Sequence, residues 1–89
     1  MAWEISWLDG TREELEVLAR ERFPRFPAGK DIGALAVQKL EEEIRLHPLP
    51  SPDLPQISKD EVFNFGPIQV GYHIDSLTGH AEIRKVRGF

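Results

Sequence analysis

The residues that could do chemistry gather in the last part of the chain: His73, His80, Glu82 and the basic group Arg84, Lys85 and Arg87. Histidine is the side chain whose unperturbed titration falls near neutrality, so His73 is a candidate general base. Arg84, Lys85 and Arg87 could hold a phosphate or meet an acidic partner, and they form the one patch able to attract a polyanion. Plainer roles compete with each. The basic group suits an edge strand that uses charge to block aggregation, and His73 with Glu82 suits an ordinary cross-strand pair. Tyr72 reads first as a core residue with its hydroxyl at the rim, and second, with the three basic residues, as a candidate partner contact. The histidines, His47 among them, have no close ligand spacing and the chain has no cysteine, so no metal site is expected. No cofactor is expected either. Gly29-Lys30 lacks the upstream glycine and the following Ser/Thr of a phosphate loop, and no nucleophile elbow or dinucleotide fingerprint occurs.

These residues need a scaffold, and hydrophobic periodicity supplies one. Trp3, Ile5 and Trp7 alternate with Glu4 and Ser6, the period of a half-buried strand, and Asp9-Gly10 breaks it. Thr11-Arg12-Glu13-Glu14 has capping-box spacing at the start of a helix whose stripe is Leu15, Leu18, Ala19 and Phe23, with Pro24 as the stop. After a loop with Pro27 and Gly29, Asp31 caps a second helix running to about His47, with Ile32, Leu35, Ala36, Leu40 and Ile44 on its apolar face. Four prolines between Pro48 and Pro55 predict an extended connector. Period two returns at Glu61–Phe65, and again, most clearly, where Ile68, Val70, Tyr72 and Ile74 alternate with Gln69, Gly71 and His73. Asp75–Gly79 is a hairpin turn. In the last strand, His80–Arg87, Ile83 and Val86 cannot share a face unless a bulge intervenes or both faces are buried.

The order is β-α-α-β-β-β, an α+β domain over residues 1–89 with two helices packed on one face of a mainly antiparallel four-stranded sheet. Eighty-nine residues fit one domain, and 40% hydrophobic with 29% charged residues is a globular balance. The net charge of −4 speaks against a general nucleic-acid binder. The start of the chain lacks the basic and apolar regions of a signal peptide, and no stretch approaches the roughly 20 apolar residues of a membrane span. A cytoplasmic protein without membrane contact is the expectation.

The element order and the segment Gly66-Pro67-Ile68-Gln69-Val70-Gly71-Tyr72-His73-Ile74-Asp75, followed by Gly79 through Val86-Arg87, resemble the RelE/ParE superfamily of type II toxin–antitoxin toxins. In that family a hydrophobic alternation commonly meets a Tyr, an apolar residue and Asp, and the final strand ends in basic, Val, basic. The resemblance implies a cognate antitoxin as partner, and as target either messenger RNA in the ribosome or DNA gyrase. The RNase branch uses basic side chains on the sheet. This chain instead has Gln69 where an Arg usually begins the strand, and Asp60, Glu61 and Asn64 where lysines are common. The leading expectation is therefore a toxin-like protein acting mainly through protein binding. An mRNA endonuclease with a rearranged set (His73, Arg84, Lys85, Arg87) is one alternative, and a non-toxic structural or adaptor domain is the other.

Overall fold

The computed structural model describes residues 3–27, 29–48, 53 and 56–89. Strand β1 (Glu4–Trp7) is followed by helices α1 (Thr11–Arg22) and α2 (Ile32–Arg45), then by strands β2 (Ser58–Phe65), β3 (Ile68–Asp75) and β4 (His80–Gly88). The fold is α+β. The sheet is mixed, in the order β1-β4-β3-β2. β2, β3 and β4 form antiparallel pairs, whereas β1 runs parallel to β4 with Glu4 opposite His80 and Trp7 opposite Ile83. The last strand is thus an inner one, which corrects its reading as an exposed edge. The chain between β1 and β4, which holds both helices and the β2–β3 hairpin, is long enough for the crossover that a parallel pairing needs. The edges are β1 and β2.

β3 obeys its period without exception: Ile68, Val70, Tyr72 and Ile74 are buried, and the residues between them are not. Ala81, Ile83 and Val86 of β4 and the half-buried Ile5 and Trp7 of β1 lie on that face, under the helices. β4 holds this face only because its register slips: Tyr72 pairs with Ile83 but Gly71 pairs with Lys85, leaving Arg84 as an extra residue. The bulge anticipated from the parity of Ile83 and Val86 is present. α1 covers β3 and β4, α2 covers β2, and Leu15, Ala19, Ala36, Leu40 and Ile44 complete the core.

The helix starts differ. Asp31 caps α2 as expected, its Oδ1 accepting from Gly33 N at 2.9 Å and Ala34 N at 3.3 Å. Arg20 and these amides hold its carboxyl below the usual range. For α1 the capping box does not form. Gly10, at φ 82, is the N-cap without a side-chain bond, and Thr11 is already helical. Its hydroxyl donates back to Leu8 O at 2.6 Å, tying the helix to the end of β1. The turn needs a left-handed residue directly before the helix, and glycine fills it most cheaply. Most of the proline connector, residues 49–52 and 54–55, lies outside the described residues. β2 begins three residues earlier than its periodicity indicates, and Gly79 takes φ 68 in the hairpin turn. Among the described residues, no helix is long and apolar enough to cross a membrane.

Gly66, between β2 and β3, has φ 58, and a Cβ there would lie 2.5 Å from Phe23 Cζ, whose ring packs on Phe65 at 5.4 Å. Gly66→Ala should cost ~1–3 kcal/mol from backbone strain alone, with the clash against Phe23 added. The fully buried Leu40 should cost about 2–5 kcal/mol on truncation to Ala. Urea unfolding of both variants measures the two costs directly.

Candidate functional site

Both helices occupy one face of the sheet, so the other carries whatever β3 and its partners turn outward: Gln69, Gly71, His73 and Asp75, with their neighbours in register. His73 lies between Asp60 of β2 and Glu82 of β4, and Ser6 of β1 lies beyond Glu82. The next row is Ser58, Asp75, His80 and Glu4. In the other direction the rows are Val62, Gly71, Lys85 and then Asn64, Gln69, Arg87. The face is divided by charge. One half holds the carboxylates with His73 and His80, and the other holds Lys85 and Arg87 among neutral residues.

A continuous polar chain runs through the acidic half. His73 Nδ1 lies 2.9 Å from Asp60 Oδ1, and His73 Nε2 lies 3.0 Å from Ser58 Oγ. A carboxylate only accepts, so Nδ1 carries the donated proton, and a neutral His73 then offers Nε2 to the Ser58 hydroxyl. This is the order of groups in a nucleophilic triad. The environment differs from one. Asp60 is 80% exposed on an open sheet surface, and a triad works where water is kept from the charges that develop. The arrangement can hold a histidine in one orientation and one tautomer. Arg84, freed by the bulge, donates from Nε to Glu82 Oε1 at 2.8 Å and approaches Asp60 Oδ1 at 3.7 Å. His80 Nε2 lies 2.7 Å from Ser6 Oγ, so the two hairpin histidines hold separate partners rather than each other.

The structure therefore brings four sequence candidates, His73, Arg84, Lys85 and Arg87, to one face. Arg84 is committed to Glu82 and Asp60. Lys85 is exposed with no ion-pair partner among the described residues, and Arg87 sits 5.9 Å over the Phe89 ring. Tyr72 is on the opposite face, 2% exposed, with its hydroxyl 2.9 Å from His47 Nε2. Sequence reasoning passed over Ser58 and took Asp60 only as a departure from the lysines common in the resembled family, although two polar residues spaced by two on a strand can embrace one cross-strand histidine. It also gave no role to His47, which follows α2, accepts Trp3 Nε1 at its carbonyl at 3.2 Å and meets Tyr72 with its ring. Among the described residues no three His, Cys, Asp or Glu side chains are placed to hold a metal ion. An apolar hollow of about 520 Å³, lined by Phe23, Pro24, Phe26 and Pro27 with Arg22 and Arg25, lies at the α1–α2 loop. That loop borders the β2–β3 turn, where Phe23 covers Gly66.

Comparison with protein-family models, curated proteins and solved structures finds no match to the chain.

Tyr72 is the single tyrosine, so its ionisation can be followed by phenolate absorbance without interference. Burial, assisted by the charges of Glu43 and Glu61, pushes its hydroxyl up to about 12. An exposed tyrosine in the unfolded chain ionises near 10, so the unfolded state releases this proton first as pH rises. The contribution to stability is whole below pH ~10 and is lost as pH rises toward ~12. A native midpoint near 10 would show that the hydroxyl is open to water. Tyr72→Phe should cost roughly 1 kcal/mol at neutral pH through the His47 bond and should flatten the alkaline decline.

Proposed function

We propose that this chain is a toxin-like protein of the RelE/ParE superfamily that acts mainly by binding a protein and is neutralised by a cognate antitoxin. The observation that carries this reading is the division of the helix-free face. Lys85 and Arg87 present cations uncommitted to any carboxylate among the described residues, whereas Arg84 and His73 are tied into a network with acids. An RNase of this superfamily gathers basic side chains around a phosphate, and here Asp60 stands within that neighbourhood and would repel it. A surface with one cationic half and one acidic half suits a protein partner of matching pattern. The β-α-α-β-β-β order with both helices on one side adds the support of architecture. DNA gyrase is the target class that the binding branch of the superfamily offers.

The endonuclease is the second reading. It is favoured by one observation: His73 and Arg84 converge on Asp60, within reach of one ligand group. The two readings separate on induction of the chain alone in a bacterial host. Arrest of growth with intact messenger RNA is expected. Lys85→Ala with Arg87→Ala should weaken target binding about tenfold or more and relieve the arrest, while His73→Ala should leave it in place. Fragmented messages with relief by His73→Ala would establish the endonuclease instead. Unimpaired growth at a verified level of folded protein would leave the non-toxic adaptor domain as the account.

A further inference from the structure

Among the described residues β2 is the longest stretch of unpaired strand edge. It spans Ser58–Phe65 at the end of the sheet, and among the described residues nothing pairs with its outer side. Edge strands are usually blunted by a proline, a bulge, shortness, a covering helix or loop, or charged side chains, and the charges of β2 are confined to its first half, at Lys59, Asp60 and Glu61. β2 has neither proline nor bulge, since the one irregularity in the sheet lies between β3 and β4. Its charges are compensated within the chain. Lys59 Nζ contacts Glu61 Oε1 at 2.8 Å, which holds the Glu61 carboxyl below its usual range, and Asp60 is taken up by His73 and Arg84. Its second half, Val62-Phe63-Asn64-Phe65, carries no charge, and Val62 is 53% exposed on the helix-free face.

The strand is also complementary to itself. A two-fold axis perpendicular to the sheet pairs two β2 strands antiparallel, each residue facing one on the same side of the sheet. An axis at Asp60 or Glu61 sets a carboxylate against its own copy, and an axis at Phe63 runs the strand into the Gly66-Pro67 turn after few pairs. An axis at Val62 uses Lys59 through Phe65. It places Val62 against Val62, Glu61 against Phe63, Asn64 against Asp60 as amide to carboxylate, and Lys59 against Phe65, a cation beside an aromatic ring. No like charges face each other directly. We propose that a second copy of this chain docks on β2 in this register, giving an eight-stranded sheet ordered β1-β4-β3-β2-β2-β3-β4-β1. Both helix layers then lie on one side, and the two helix-free faces join into one surface.

Sedimentation over a dilution series tests the assignment. The full chain should pass from a mass of one 10.2 kDa chain to twice that as concentration rises. Val62→Lys and Val62→Asp each set like charges on the axis and should raise the dissociation constant at least tenfold, with circular dichroism unchanged because the side chain is exposed. Mixing the two variants should restore the dimer, which only a contact of residue 62 with itself explains. Glu4→Lys, on the opposite edge, should leave association intact. A monomer at every concentration, dimers that persist in both Val62 variants, or a dimer broken by Glu4→Lys would overturn the proposal. So would failure of the mixture to associate.

Discussion

The extra residue at Arg84 is the constraint on which the architecture depends. Without it Ile83 and Val86 would face opposite sides of β4, and one of the two would sit in water. With it both reach the helices, each opposite a buried residue of β3. The same slip marks where the polar face changes sign, with His80 and Glu82 before it and Lys85 and Arg87 after it. It also releases the Arg84 guanidinium from the regular alternation, so that it reaches Glu82 on its own strand and Asp60 on β2. One irregularity thus serves the core and the surface together, as bulges often do beside functional positions.

What could be read from the residues depended on whether a local rule governed them. β3 and its hairpin were legible because strict alternation leaves one face to bury, and Asp31 because a carboxylate before an apolar helix has few other uses. Parity between Ile83 and Val86 left a bulge or a strand buried on both faces, and the register of β4 against β3 decides for the bulge. Thr11 misled because a capping-box pattern says nothing of the turn before it, and that turn required Gly10 at the cap. The inner position of β4 was hidden for another reason: strand order is a long-range property that periodicity does not encode. The same holds for the site. His73, Arg84, Lys85 and Arg87 are near in sequence and were found, whereas Ser58 and Asp60 join them only through the β2–β3 register. His47 and Tyr72 meet across the helix–sheet boundary, with no signal in either segment.

The polar networks on the helix-free face contribute little to stability. They are exposed, and exposed ion pairs are worth at most about 1 kcal/mol each. Their effect is to fix which charges remain available. In a chain of net charge −4, carboxylates that hold His73 and Arg84 are directed inward along the face, and Lys85 and Arg87 are left to dominate the other half. A modest local field of opposite sign to the whole molecule results. Such a field orients an approaching partner more than it binds one.

The parallel pairing of β1 with β4 has a consequence for the life of the chain before it is folded. Ser6 and His80, which meet in the native sheet, are 74 residues apart. β1 has its strand partner in β4, so its ladder cannot form until the last of the described strands is in place. The helices and the β2–β3–β4 meander can assemble from nearer neighbours, but β1 must wait and then close the longest loop in the molecule.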